Sequence, residues 1–160
     1  MIAMQLSEVA TVLGAQMHGS DVALRGISTD SRDIDAAQLF VALRGPNFDG
    51  HAFIGVARKR HCAAVLCERV VDELPTVVVD DALSALGELG ANWRKRFDAD
   101  TVAVTGSNGK TTVKEMIASI LAMDAPVLAT RGNLNNDIGV PLTLLRAPAH
   151  PWQEWTRSSP

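Results

Sequence analysis

The chain has 160 residues, of which 47% are hydrophobic and 21% charged, and its formal net charge is −3. These proportions are typical of a folded globular chain and exclude a mostly disordered one. The negative balance provides no general positive field for a nucleic-acid backbone or an anionic membrane, so neither partner is expected. Because no apolar run approaches the roughly 18 residues of a membrane span, we expect a cytoplasmic protein without membrane insertion.

Cysteine and histidine spacing gives no sign of a metal site or a disulfide framework. Cys62 and Cys67 lie in an apolar run with four residues between them, and there is no further cysteine or histidine pair at ligand spacing. This pattern favours buried free thiols in a reducing compartment. The histidines also lack partner spacing and are expected to be structural or solvated: His18, His51, His61 and His150.

The first half of the chain alternates short apolar runs with helical patterns. Ser7 is predicted to cap a short helix that stops at Gly14, and residues 52–60 are predicted to be helical. The apolar runs predicted to be strands are 39–43, 63–66 and 76–79. Such alternation predicts an α/β fold with parallel strands. Asp80 or Asp81 should then cap a helix that links two units.

The second half begins with a predicted strand over 101–105, followed by a glycine-rich turn, a helix from about 110 to 123 and a second strand over 126–129. Five apolar residues of the helix are predicted to form its core face: Val113, Met116, Ile117, Ile120 and Leu121. The last residues, 147–160, contain prolines and tryptophans without periodicity, and we expect an irregular tail.

The sharpest motif is the segment 105–112, Thr-Gly-Ser-Asn-Gly-Lys-Thr-Thr, between the predicted strand and helix. Glycines let the backbone approach an anion, and the helix start offers free N–H groups, so the segment predicts a phosphate-binding turn. Lys110 would reach the β and γ phosphates, and the Thr111 hydroxyl would bind Mg²⁺. The strict motif has glycine where this chain has Val104, and a plain turn with a solvated lysine is the alternative.

Three other polar segments are less specific. Residues 30–32, Asp-Ser-Arg, are most simply a turn stabilised by side-chain bonds to the backbone, and the loop 45–51 is similar. Three asparagines near the end could bind a ligand by their amides or terminate a strand: Asn133, Asn135 and Asn136.

Taken together, these segments resemble the amino-terminal part of the Mur ligases over about residues 5 to 146. The segments that carry the resemblance are 28–32, 39–43 with Gly45, 49–51, 105–112 and 132–145. The last of them is the most specific, and it points to the members that join D-alanyl-D-alanine to UDP-N-acetylmuramoyl-tripeptide.

The resemblance implies an organisation in three parts. Residues 1–81 would form a small α/β domain that binds the UDP end of the substrate. Residues 82–146 would be the start of a P-loop-type central ATP-binding domain that is truncated here. Residues 147–160 are unlike the family.

The resemblance also implies a reaction in peptidoglycan synthesis. ATP would phosphorylate the tripeptide carboxylate, and the amine of D-alanyl-D-alanine would attack the acyl phosphate, with Mg²⁺ stabilising charge. Lys110 and Thr111 would be catalytic, and Thr111 would also bind the metal. The ATP-binding residues would be Gly106, Ser107, Asn108, Gly109, Lys110, Thr111 and Thr112. The substrate-binding residues would be Thr29, Ser31, Arg32, Pro46, Asn47, Phe48, Asn135 and Asn136.

Several parts of a Mur ligase have no counterpart in these 160 residues: the metal-binding glutamate, the histidine and modified lysine of the central domain, and the third domain. We therefore expect no ligation by this chain alone. The alternative hypothesis is a stand-alone nucleotide or UDP-sugar binding fragment without turnover. A P-loop kinase or GTPase is disfavoured because Val104 replaces the leading glycine.

Overall fold

The structure is a computed structural model that describes residues 2–132, 134 and 136–148. The strands are β1 Met4–Gln5, β2 Gln16–His18, β3 Ala23–Leu24, β4 Ile27–Ser28, β5 Leu39–Val41, β6 Arg44–Gly45, β7 Phe48–Asp49, β8 Ala64–Cys67 and β9 Thr76–Val78. The α-helices are α1 Leu6–Val12, α2 Ile54–Lys59, α3 Ala82–Arg94, α4 Lys110–Leu121 and α5 Gly139–Arg146, and a 3-10 turn covers Gly50–Phe53. Within the described residues, none of these helices has the length and apolar character needed to cross a bilayer.

The central sheet has five strands in the order β2-β9-β8-β5-β4. Strands β4, β5, β8 and β9 are mutually parallel, and β2 joins β9 in the antiparallel sense. Two antiparallel pairs stand apart from the sheet, β1 with β3 and β6 with β7. The predicted α/β fold with parallel strands is therefore confirmed.

Both faces of the sheet are covered, which explains why its strands are continuous apolar runs. On one face, Leu39, Val41 and Leu66 pack into a core with α1, α3 and α5. On the other face, the alternate residues Phe40 and Val65 pack with α2 and with Ile34 of the loop before β5. Because successive strand residues point to opposite faces, a three-residue run such as β5 contributes to both cores.

The cysteines belong to the second core. Cys62 and Cys67 are both buried and both are free thiols, as predicted. Burial raises the pKa of Cys62 to about 11 and also raises the pKa of Cys67. Thiols held protonated in this way are poor nucleophiles and metal ligands, so they serve as small apolar side chains.

The cap of α1 differs from the prediction. Ser7 lies inside the helix, which begins at Leu6, and the Glu8 carboxylate accepts a hydrogen bond of 2.9 Å from the Gln5 backbone N–H. Ser7 instead donates its hydroxyl to Asp21 at 2.7 Å and its backbone N–H to the same carboxylate at 2.9 Å. The prediction was wrong because Asp21, distant in sequence, supplies the acceptor that a local cap would have provided.

Helix α3 was predicted as a link between two units, but in the structure it lies within the first core. Asp81, one of the two aspartates predicted to cap this helix, does so by accepting a hydrogen bond of 2.6 Å from the Ser84 N–H. The Trp93 ring is buried, and its Nε1 donates to the Ala147 carbonyl at 2.9 Å. Helix α5 packs along α3, so residues near both ends of the described chain share this core. The domain division at residue 81 stays a prediction.

The second half departs from its predicted secondary structure. Residues 101–105 and 126–129 are described but are not in strands. The predicted core face of α4 is wrong as well, because Met116 and Ile120 are 59% and 64% exposed. Both differences have the same physical reason. A strand needs a paired neighbour, and no sheet forms among the described residues of this half. The apolar face of α4 therefore has no sheet to pack against.

The packing of α3 against α5 predicts opposite effects for two glycines of the same helix. A Cβ on Gly90 would lie 3.0 Å from both Cα and Cβ of Pro141, whereas one on Gly87 would meet nothing within 4 Å. Gly87→Ala should stabilise the fold by about 0.5–1 kcal/mol through helix propensity. Gly90→Ala should destabilise it by about 1–3 kcal/mol through overpacking. Urea unfolding of both variants measures this, and Gly90→Ala being as stable as Gly87→Ala would contradict the packing.

Candidate functional site

The carboxyl ends of the parallel strands bring most predicted substrate residues to one edge. Residues 29–32 follow β4 directly, and the hairpin β6–β7 follows its neighbour β5. Open parallel sheets bind ligands outside the carboxyl ends of their strands. The predicted residues that the structure places in these two loops are Thr29, Ser31, Arg32, Pro46, Asn47 and Phe48.

The first loop is a turn closed by Asp30. Its carboxylate accepts hydrogen bonds from the Arg32 N–H at 2.9 Å, from Nε at 3.0 Å and from Nη2 at 2.7 Å. The Asp30 N–H donates to the Ser28 hydroxyl oxygen at 3.1 Å, and Ser31 is buried. The side-chain bonds from Arg32 lower the pKa of Asp30 to about 2. The predicted turn is confirmed, and its exposed Arg32 guanidinium forms an ion pair with Asp30.

The second loop is the hairpin β6–β7, with Pro46 and Asn47 at its tip. The rings of Phe48 and Phe53 stack with centroids 5.5 Å apart and planes inclined by 17°. Both rings are substantially exposed, Phe48 at 49% and Phe53 at 40%. The tip therefore has a flat aromatic surface beside its polar turn.

The foot of the hairpin is held by a cluster of charged and polar side chains. Asp49 accepts hydrogen bonds from the backbone N–H of His51 at 3.0 Å and from its Nδ1 at 2.6 Å, and these bonds lower the pKa of Asp49. The Glu68 N–H, directly after β8, donates to His51 Nε2 at 3.2 Å. Arg44 forms an ion pair with Glu68 at 3.3 Å. Asp49 is thus the N-cap of the 3-10 turn Gly50–Phe53.

The glycine-rich turn has the backbone shape that only glycine adopts readily. Gly106 has φ of 144° and Gly109 has φ of 76°, both in the region that other residues avoid. Helix α4 begins at Lys110, and its N-cap residue Gly109 has no side chain that could bond to the first N–H groups. Lys110 Nζ donates to the Gly106 carbonyl at 2.6 Å and closes the turn. The other predicted members, Ser107, Asn108, Thr111 and Thr112, are exposed beside it.

The asparagine segment is only partly described. Asn133 and Asn135 lie outside the described residues. Asn136 is exposed and its Oδ1 accepts a hydrogen bond of 2.9 Å from the Gly139 N–H, which stabilises the start of α5. Its side chain also borders an open groove of about 520 Å³ between α3 and α5. Asn136 therefore has a structural role whether or not it contacts a ligand.

The sequence analysis missed three charged residues that organise these loops: Arg44, Glu68 and Lys114. Lys114 Nζ donates to the Thr130 carbonyl and, at 3.5 Å, to the Gly132 carbonyl, which ties α4 to the segment before the asparagines. A signal existed only for the hairpin, where Asp49 and His51 have the spacing of an Asx turn. The partners of Lys114 and Glu68 are distant in sequence and leave no local pattern.

Comparison with known proteins shows the same similarity along almost the whole chain. The Mur ligase middle domain family matches residues 104–153. UDP-N-acetylmuramoyl-tripeptide--D-alanyl-D-alanine ligase of Escherichia coli (strain K12) is 46% identical over 147 residues, which are 91% of this chain and 32% of that protein. The ligase of the same name from Bacillus subtilis (strain 168) is 43% identical over 129 residues, 78% of this chain and 28% of the relative.

Solved structures agree with the sequence relatives. MurF from Acinetobacter baumannii superposes with a TM-score of 0.85 at 38% identity, covering 92% of this chain and 34% of that one. MurF ligase from Thermotoga maritima in complex with ADP has a TM-score of 0.68 at 34% identity, covering 76% and 29%. The chain belongs to the Mur ligase family. It spans about a third of the length of the curated relatives it matches.

Family membership confirms the resemblance inferred from the sequence motifs, and the mixed α/β fold of this Mur ligase chain matches the MurF structures. The roles of individual residues rest on the geometry described above. That geometry separates two groups, the loops at the carboxyl edge and the glycine-rich turn before α4.

The pairing of Asp30 with Arg32 predicts an acid titration. The pKa of Asp30 is lowered from 3.8 to about 2. The ion pair therefore stabilises the fold above about pH 4, and this stabilisation is lost as the pH falls towards 2 and Asp30 becomes protonated. NMR titration of the side-chain carboxyl should show this low midpoint. Arg32→Ala should return the midpoint towards 3.8, since the main cause of the shift is removed. An unchanged midpoint in the variant would contradict the assigned bonds.

Proposed function

We propose that this chain supplies the UDP-substrate-binding part and the nucleotide-phosphate-binding turn of an ATP-dependent ligase of peptidoglycan synthesis. The reaction would join D-alanyl-D-alanine to UDP-N-acetylmuramoyl-tripeptide. The observation that carries the proposal is the match to ligases of that name, at 46% identity across 91% of this chain. The relatives are about three times as long, so the complete reaction is proposed for the family's full set of domains.

The glycine-rich turn fits the phosphates of ATP. Its two glycines have positive φ, and the Gly109 position has open space where a Cβ would stand. The first N–H groups of α4 have no side-chain cap, and a helix start attracts anions. The related MurF ligase from Thermotoga maritima was solved in complex with ADP, which supports nucleotide binding in general.

Within this turn, Lys110 would reorient from the Gly106 carbonyl to the β and γ phosphates, where it stabilises negative charge. The exposed Thr111 hydroxyl is an oxygen ligand suited to Mg²⁺, which takes its other ligands from phosphate and water. Bound Mg²⁺ supplies charge neutralisation during phosphoryl transfer. Among the described residues, no three acidic, histidine or cysteine side chains cluster into a complete metal site.

The carboxyl edge fits the UDP end of the substrate. Two neighbouring strands end in loops that offer a guanidinium, an amide and an exposed aromatic pair. A nucleoside diphosphate needs those groups, since its phosphates bind cations and its base stacks on flat rings. We assign Thr29, Ser31 and Arg32 to this function, together with Pro46–Phe48. Asn135 and Asn136 are proposed to face the substrate from the second half.

A stand-alone binding fragment without turnover is the second candidate. It is favoured by the exposed apolar face of α4, because a catalytic phosphate turn is ordinarily supported by a packed sheet. Phosphate release from ATP that depends on both the UDP-tripeptide and D-alanyl-D-alanine would exclude this candidate. Binding of the ligands without such release would support it.

Loss of the turn's lysine should weaken nucleotide binding. Lys110→Ala removes one charge-assisted contact, so we expect the affinity for ATP with Mg²⁺ to fall by about 1–3 kcal/mol in calorimetry. Lys59→Ala is the matched control, because Lys59 is exposed on α2, outside both groups of site residues. Equal affinities of the wild type and Lys110→Ala would refute the assignment of the turn.

The two ligands should perturb different parts of the full chain. In amide NMR titrations, UDP-N-acetylmuramoyl-tripeptide should shift the backbone amide resonances of residues 29–32, Asn47 and Phe48, because these lie in the loops of the carboxyl edge. ATP with Mg²⁺ should shift those of residues 106–112. A UDP-tripeptide response confined to the second half of the chain would contradict the proposed substrate site.

A further inference from the structure

We propose that His51 is a positioning residue for the substrate loop, and this rests on the proposed function of the carboxyl edge. Its imidazole has no exposed surface and joins the end of β7 to the residue after β8. The hairpin tip that it supports, residues 46–48, is exposed. His51 would thus act through the hairpin without touching the substrate.

Both ring nitrogens of His51 form hydrogen bonds, and the chemistry of the two partners determines a single neutral tautomer. The Glu68 backbone N–H is only a donor, so Nε2 must accept the bond of 3.2 Å. The proton therefore sits on Nδ1 and is donated to the Asp49 carboxylate at 2.6 Å. A ring held at both nitrogens has a defined orientation, which is how histidine positions its neighbours.

The backbone next to His51 is equally constrained. Gly50 donates its N–H to the Leu43 carbonyl at 2.8 Å. A Cβ on Gly50 would lie 2.6 Å from that carbonyl oxygen and 2.8 Å from the Ala42 carbonyl carbon. The backbone at Gly50, just after the hairpin, therefore lies in close contact with Ala42 and Leu43, just before it. His51 is the first residue after this contact.

Glu68 connects both strands of the hairpin to the sheet and to α3. Its carboxylate pairs with Arg44 of β6 at 3.3 Å, and its backbone N–H holds His51 after β7. The second carboxylate oxygen accepts a hydrogen bond of 3.4 Å from the Ala82 N–H at the start of α3. Of these links, the bond to His51 is buried on the histidine side, whereas Arg44 is 57% exposed. The histidine bond is therefore the one better protected from water and salt.

Two substitutions test the hydrogen bonds of the two ring nitrogens separately. His51→Gln places an amide oxygen near the position of Nε2 and keeps an acceptor for the Glu68 N–H. His51→Asn keeps a group near the position of Nδ1 for Asp49 but leaves the Glu68 N–H without its acceptor. His18→Gln is the control, because His18 lies on β2 at the opposite edge of the sheet from β4.

The first measurement is the affinity of each full-length variant for UDP-N-acetylmuramoyl-tripeptide by calorimetry. We expect His51→Asn to bind about tenfold more weakly than the wild type, and His51→Gln to stay within about threefold, as for loss and retention of one hydrogen bond. His18→Gln should bind like the wild type. Equal weakening by Asn and Gln would overturn the positioning role of the Glu68 bond.

The second measurement needs no ligand and separates this proposal from the proposed function. Nitrogen NMR of the wild-type ring should show a proton on Nδ1 and none on Nε2, and the Glu68 amide should exchange faster in His51→Asn than in His51→Gln. If the wild type fails to bind the UDP-tripeptide, the proposed function fails. The protonated ring nitrogen and the exchange rate of the Glu68 amide still test the hydrogen bond between His51 and Glu68. A proton on Nε2, or equal exchange in both variants, would overturn it.

Discussion

The parallel alignment of four strands is the constraint on which the rest of this structure depends. Because β4, β5, β8 and β9 run in one direction, their carboxyl ends and the loops after them meet at one edge. Parallel pairing also requires crossovers that cover the sheet, and α1, α3 and α5 lie on one face while α2 lies on the other. The two cores therefore arise from the same pairing that gathers the loops after β4 and β5 at one edge.

The loops at this edge are joined to the helices by polar links. Glu68 contacts the hairpin by its ion pair with Arg44 and reaches the first residue of α3 through its other oxygen. Helix α3 in turn packs against α5, which lies in the segment that matches the Mur ligase middle domain. A continuous set of contacts thus runs from the carboxyl edge to the segment that follows the glycine-rich turn.

The elements that could be predicted from sequence are those whose signals are local. The runs of β5, β8 and β9 were recognised because both faces are buried, and the Asp81 cap because its partner is three residues away. The same local logic failed at Ser7, whose partner Asp21 is 14 residues away. It also missed the bond between His51 and Glu68, which spans 17 residues. Motif resemblance identified these loops as candidate sites, but the contacts that hold them come from the tertiary fold.

The second half shows the same distinction between local and distant causes. The turn before α4 has its shape because Gly106 and Gly109 adopt positive φ and Lys110 bonds back to Gly106, all within five residues. The predicted strand over 101–105 depends instead on a paired neighbour, and it does not form among the described residues. The apolar face of α4 is exposed for that reason. The backbone shape of this turn is therefore encoded separately from the sheet that would support it, because backbone shape is set locally and strand pairing is not.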